Sequence, residues 1–310
     1  MLDELTTEQI QQAAAIRRAA LAEEEAGQAE SPTRRALRRF RRHKPAMISL
    51  IVLFIIALLA VGAPLFQRYD PIQPNLNAIS QPPSDQHWLG TDRVGRDVWS
   101  RTINGGKVSL AVGISAAFLT TLIGTLLGAI SGYYGGKTDM LLMRFTDLVM
   151  TFPSLILMIT LATVIGQGML NIILIIGGLS WPGVARLVRG QFLSLREQQY
   201  VKAVKCLGAT DNRIIFRHIL PNVIAPLLAQ VTFTVGNAIL TEAGLSFLGL
   251  GIPLPTPSWG NMLDAARDLD ILQNLPWSWI PPAIFTVITV LCVNFIGDGL
   301  RDAIDPRLVL

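Results

Sequence analysis

The chain has 310 residues, of which 51% are hydrophobic and only 15% charged, with a mean hydropathy of +0.45. That balance excludes an ordinary soluble protein and asks how many apolar runs of about 20 residues, the length that crosses a bilayer, the chain supplies. The net charge of +4 matters less than where the basic residues cluster, and the two cysteines, Cys206 and Cys292, make neither a disulfide framework nor a metal-ligand spacing.

Residues 1–27 are rich in Ala, Gln and Glu and read as an exposed helix with Thr6 and Gln9 at capping-box spacing, within a tail over 1–45. Arg34, Arg35, Arg38, Arg39, Arg41, Arg42 and Lys44 stand directly before the first apolar run. A basic cluster abutting a span is retained on the cytoplasmic side, so we read no nucleic-acid partner from it. Residues 47–66 form the first predicted span, too long and too far from the start for a signal peptide. The polar, Pro-rich segment 67–107 follows outside, where Asp92, Arg96 and Asp97 are expected to pair with one another.

Residues 108–133 return, with Ala116, Thr120, Gly124, Gly128 and Gly132 recurring every fourth position as a surface for close helix approach. The turn after it contains Gly136-Lys137-Thr138, but Ser131 stands where a phosphate-binding loop needs its first glycine, so no ATP site is expected. Residues 140–165 go out again, with Arg144 and Asp147 on one helical face, and 169–188 come back, broken by Pro182. Residues 223–250 make the longest apolar run. Within it Gln230, Thr234, Asn237 and Thr241 form one polar stripe, serving either hydrogen bonds between helices or the wall of a polar passage. Glu242 lies about twenty residues, or ~30 Å, along that helix, near the outer end, where a carboxylate is a functional candidate. Segment 251–278 is external and 280–296 is the last span. Five tryptophans, at 88, 99, 259, 277 and 279, fall in the outer segments or at their edge, as an interfacial belt would place them.

Between the fourth and fifth spans lies segment 194–221, the one long polar interruption in the second half of the chain. Helix formers over 198–207, Gly208, a capping Asp211 and a second helix over 212–220 that stops at Pro221 make a helix-turn-helix knob. Val201, Val204, Leu207, Ile214, Ile215, Ile219 and Leu220 form its apolar face, and Lys202, Lys205, Arg213, Arg217 and His218 its basic face. Seven Lys and Arg between 186 and 217 place this loop inside, which gives six spans with both termini cytoplasmic.

The phrase YVKAVKCLGATDNRIIFRHILPN resembles the cytoplasmic loop of ABC-importer permeases, whose pattern is Glu-Ala-Ala, three residues, Gly, nine residues, Ile-x-Leu-Pro. Ala203, Gly208, Leu220 and Pro221 fall in register, whereas Lys202, Val204 and His218 replace the glutamate, the second alanine and the isoleucine. HWLGTDRVGRDVWSR, with Gly90, Thr91, Asp92, Gly95, Arg96 and Asp97, resembles the external segment of dipeptide and oligopeptide permeases in particular. AGLSFLGLG, PTPSWG and the closing GDGLRDAIDP resemble the same group, so the likeness covers roughly residues 34–306.

The resemblance implies an all-α membrane protein of the type I ABC importer permease fold, the second or C-type permease of a peptide importer, in a bacterial or archaeal inner membrane. It implies a span domain over 46–300 and a cytoplasmic tail over 301–310. Its implied partners are a second homologous permease, two cytoplasmic ATP-binding subunits that carry the ATP and Mg, an external substrate-binding protein, the bilayer and a peptide cargo. No cofactor and no metal belong to this chain, and it is not itself an enzyme. The loop would dock on the ATPase through Tyr200, Lys202, Ala203, Val204, Gly208, Ala209, Arg213, His218, Leu220 and Pro221. The alternative is a stand-alone proton-coupled transporter or channel using Glu242. An intramembrane enzyme is disfavoured, because neither HExxH nor GxSxG occurs.

Overall fold

The computed structural model describes residues 32–304. The tail helix with Thr6 and Gln9 lies outside the described residues, and so does Asp305, which with Asp298 is one of the two carboxylates that helical spacing offers to Arg301. Among the described residues the chain is helical, and its one β feature is an isolated bridge between Thr91 and Asp97.

Helix α1, Pro32–Arg42, leads into α2, Lys44–Val61, which His43 caps by accepting the Ala46 amide on Nδ1 at 3.2 Å. Gly62 ends α2 and a single turn, α3, Ala63–Phe66, follows. Helix α4, Val98–Tyr134, is 37 residues long and begins ten positions before the predicted span. Its start is set by Asp97, which accepts the Ser100 amide at 2.8 Å, so the polar residues after it are helical. Gly135, at φ +66°, closes α4 with a conformation that only glycine adopts cheaply.

The expected span over 140–165 is two helices, α5, Gly136–Thr151, and α6, Ser154–Ile165, bent by 81°. Pro153 is the cause: it lacks an amide and forces Phe152 into an extended conformation, φ −89° and ψ 137°. The next pair, α7, Met169–Leu179, and α8, Trp181–Arg196, bends by 41° at Ser180, beside Pro182 as expected. After α9, Gln199–Cys206, the chain enters α10, Asp211–Phe247, and then the short helices α11, Trp259–Asp264, and α12, Leu269–Asn274, before α13, Pro276–Ile304. Four helices, α2, α4, α10 and α13, are each long and apolar enough to cross a membrane, and the two bent pairs raise that number to six.

Helix α4 is the axis of packing and touches α2, α7, α8, α10 and α13. Its small-residue stripe works as expected against α8. A Cβ on Gly124 would strike Val184, one on Gly128 the Ala185 carbonyl, and one on Gly132 the Phe192 side chain. One core cluster joins Val112 and Ala116 to Met158, Ile172, Ile176, Ala238 and Leu245. The second joins Val188 and Phe192 to Val201, Ile214, Ile219 and Val223 and seats the polar segment. Outside, Ile48, Phe54, Val61, Phe118, Leu141 and Val164 stand exposed on the apolar helices, where hydrocarbon rather than water is the matching solvent.

Candidate functional site

The knob between α8 and α10 is built from the inside out. Val201 is 3% exposed, and Ile214 and Ile219 are fully buried in the second core cluster. Leu207, Gly208 and Ala209 amides bond back to the Ala203, Lys205 and Val204 carbonyls, with Gly208 at φ +80°. That is the glycine-closed helix end that the sequence pattern calls for.

The second half differs from expectation. Thr210, not Asp211, stands at the helix N-cap, and Asp211 instead accepts the Tyr133 hydroxyl at 2.6 Å. Nor does the helix stop at Pro221: residues Ile214–Ile219 form a π-helical turn, and Leu220–Phe247 continue from it without a break. The wider i→i+5 turn places Ile214 and Ile219 together and leaves room for the proline ring, whose missing amide falls where the bonding pattern changes.

The outer surface of the knob carries Lys202, Ala203, Gly208 and Arg213, with Val204, Ala209, His218 and Leu220 half-buried. Tyr200 links α9 to the π-turn: Asn222 Nδ2 donates to its hydroxyl at 3.4 Å and to the His218 carbonyl at 2.7 Å. Lys202 lies 3.1 Å from Glu197, and this ammonium, with Arg196 adjacent, holds the Glu197 carboxyl below the usual carboxylate range. Leu207, read as part of the packing face, is 87% exposed, and Phe216, not singled out from the sequence, is 62% exposed. The signal for Phe216 was its place in the apolar run that begins with buried Ile214 and half-buried Ile215.

At the far end of the bundle the signature residues form a structured loop. Gly90 and Gly95 turn at φ +69° and +79°. Asp92 accepts the Val94 and Arg96 amides at 2.9 Å and the Arg96 guanidinium at 2.7 Å. Thr91 accepts the Gln81 amide on its hydroxyl at 2.8 Å, and its carbonyl takes the Trp277 indole at 3.2 Å. Asp97 does not join the Asp92–Arg96 pair; besides capping α4 it is buried against His87, 2.8 Å from Nδ1. Likewise Asp147 takes Arg186, at 2.6 Å, rather than Arg144. Arg93 bridges Asp268 at 2.6 Å and Asp270 at 2.9 Å.

Along α10 the two threonines of the stripe are satisfied by their own helix. Thr234 and Thr241 donate to the Gln230 and Asn237 carbonyls at 2.9 and 2.7 Å. Asn237 is exposed, Gln230 and Thr241 are half-buried, and Thr234 is buried. Glu242 is 0% exposed and takes three hydroxyls, Ser246 at 2.8 Å, Ser258 at 3.0 Å and Ser109 at 3.1 Å. The three serines were missed because they lie on three different elements. Trp259, expected at an interface, is 1% exposed because its indole donates to the Thr102 carbonyl at 2.9 Å inside the bundle. Among the described residues no three His, Cys, Asp or Glu side chains are grouped to hold a metal.

Residues 124–310 match the family described as binding-protein-dependent transport system inner membrane component, and residues 31–83 match the N-terminal TM domain of oligopeptide transport permease C. The chain is 46% identical over 279 residues to a putative peptide permease protein of Brucella suis, covering 90% of this chain and 92% of that one. It is 46% identical to the oligopeptide transport system permease protein OppC of Bacillus subtilis, over 88% and 89% of the two chains. It is 41% identical to the dipeptide transport system permease protein DppC of Alkalihalophilus pseudofirmus, over 90% and 91%. Among solved structures it is similar to the inward-facing MetNI methionine ABC transporter, with a TM-score of 0.52, 20% identity, and coverage of 66% of this chain and 96% of that one. At that identity the likeness is one of fold.

Proposed function

Because this chain belongs to the family of binding-protein-dependent transport system inner membrane components, we propose that it is the C-type permease subunit of an ATP-driven peptide importer. It is a multi-pass inner-membrane protein of a peptide permease family, with the type I importer fold. Its partners in this reading are a second permease, two ATP-binding subunits that hold ATP and Mg, and an external binding protein that delivers a dipeptide or oligopeptide.

The observation that carries the reading is the knob of α9 and the π-turn. It projects Leu207 and Phe216 beside Lys202 and Arg213, while Val201, Ile214 and Ile219 fasten it to the bundle. An apolar projection with a basic rim suits a groove on an ATPase. Continuity of the π-turn with α10 makes it a lever. Closure of the ATPase dimer would displace the knob and bias the bundle between two access states, provided that the knob's contacts differ between them. In this topology 1–45, 194–221 and 301–310 are cytoplasmic, and 67–107 and 251–278 external. In this reading Gln230, Thr234, Asn237 and Thr241 line the passage, and the exposure of the Asn237 side chain supports it.

Tagging the chain, extracting it gently from its native membrane and identifying by mass what co-purifies tests this directly. A second permease and phosphate-loop ATPases, with ATP hydrolysis in the same sample, are the expected result. Recovery of this chain alone, without hydrolysis, would overturn it.

A further inference from the structure

The hydroxyls around Glu242 are committed on both sides. Ser109 Oγ accepts the Trp259 amide at 3.1 Å, Ser246 Oγ the Ile252 amide at 3.3 Å, and Ser258 Oγ the Asn261 amide at 3.1 Å. Each hydroxyl has a single proton to give. Ser246 and Ser258 give theirs to Oε1 and Ser109 to Oε2 of the one carboxyl. Three pieces of chain therefore meet on this side chain: α4 through Ser109, α10 through Ser246 and Glu242 itself, and segment 252–261 through Ser258 and three backbone amides. Backbone lies against backbone at the same place. A Cβ on Gly260 would come within 2.7 Å of Ala243 Cα, and one on Gly105 within 3.2 Å of the Ser258 carbonyl carbon.

The helix that bears Glu242 also bears the knob. Helix α10 runs for 37 residues from Asp211, about 55 Å at 1.5 Å per residue. Its first residue is tied to Tyr133 and its far end to segment 252–261.

We propose that Glu242 is a positioning residue that makes segment 252–264 the moving end of α10, so that displacement delivered at the knob arrives at the opposite face as motion of that segment. The proposal rests on the importer reading for what drives the knob. Its physical basis is that breaking the attachment strands hydroxyl donors in a dry site, which makes the joint either closed or open rather than sliding. A carboxyl is suited to the task because it accepts at both oxygens. An amide accepts at one atom only, so in Glu242→Gln at least one serine proton loses its partner.

The test uses the whole importer complex in lipid nanodiscs for amide exchange, and cells for uptake of labelled dialanine. The variants are Glu242→Gln and Ser109→Ala, read at the Ile252 and Asn261 amides, neither of which bonds to an atom removed in either variant. We expect both amides to exchange about tenfold faster in each variant, the Ile214 and Ile219 amides to be unchanged, and uptake to fall by a similar factor while ATP hydrolysis persists. Wild-type exchange at Ile252 and Asn261 in both variants would overturn the attachment. Faster exchange with full uptake would overturn its role in transmission. If Glu242→Gln does not assemble, Ser109→Ala, which removes a single hydroxyl, decides both points. A wild-type complex that neither binds ATPases nor takes up the probe sinks the importer reading and the transmission with it, while the exchange data still judge the attachment separately.

Discussion

The Tyr133 hydroxyl donates to Asp211 at 2.6 Å, joining the last turn of α4 to the first residue of α10. The bond sits where the knob meets the bundle, beside Arg196, which donates to the Gly132 and Tyr133 carbonyls at 3.0 and 3.2 Å and closes the end of α4. Tyr133→Phe keeps the ring and deletes the bond. Asp211 is exposed, so the folding cost should be at most about 0.5–1.5 kcal/mol. We expect a melting temperature within a few degrees of wild type and a clear loss of ATP-driven uptake. A variant with full uptake would show that this contact carries no motion.

Leu207 and Phe216 protrude from a segment whose other large aliphatic side chains are buried, as Val201, Ile214 and Ile219 are, or half-buried, as Val204, Ile215 and Leu220 are. Replacing either with Ser removes nothing from the core, so the chain should insert and melt normally. Capture of the ATPase subunits should weaken by about 2 kcal/mol per side chain, some thirtyfold, as for an anchor residue in a groove. Quantifying ATPase recovered per permease checks this, and unchanged recovery for both variants would move the contact elsewhere.

Gly128 and Gly178 separate a close-packed glycine from an idle one. A Cβ at 128 would lie 2.5 Å from the Ala185 carbonyl, whereas nothing lies within 4 Å of one at 178. Gly128→Ala should cost about 1–3 kcal/mol through forced separation of α4 and α8. Gly178→Ala should be neutral or stabilising by up to about 1 kcal/mol, since alanine favours the helix. Thermal melts of the two variants in the same detergent give the comparison.

The Arg93 clamp has a defined pH response. Its guanidinium is the main cause that holds the Asp268 carboxyl below its usual range, and after Asn274 it does the same for Asp270. A carboxylate with a lowered value in the folded state adds stability above the ordinary range near 4, and that contribution fades as pH falls through the lowered value. Limited proteolysis within 265–275 should therefore be insensitive to pH between about 7 and 5 and rise in stronger acid. Arg93→Ala should show the raised cleavage already at neutral pH, and added salt should narrow the difference because all three groups face solvent. Equal cleavage of wild type and variant at neutral pH would show the clamp to be idle.

How much could be read in advance follows from the range over which each signal acts. The break at Pro182 was legible because proline acts on its own backbone, and Pro153 carried the same signal, hidden by the uninterrupted apolar run around it. The Asp97 cap of α4 was not read in advance: Asp97 was expected to pair with Asp92 and Arg96, and the polar composition of 98–107 masked a helix that begins ten positions before the apolar run. Pro221 misled in the other direction: a stop signal in an α-helix is tolerated beside a π-turn, and the π-turn comes from packing Ile214 and Ile219 into one core.

What the amino-acid sequence settled alone is what hydropathy, helical period and local motifs carry: an all-helical membrane chain, the small-residue stripe of α4, the glycine-closed turn of the knob and the family signature. These are properties of residues within a few turns of one another. Only the tertiary structure decided the partners of the charged and hydroxyl groups. Asp97 goes to His87, Asp147 to Arg186, Asp211 to Tyr133, and Glu242 to Ser109, 133 positions away in the chain. A polar group takes whichever donor the packing of apolar surfaces brings within about 3 Å, and that packing is a property of the whole bundle.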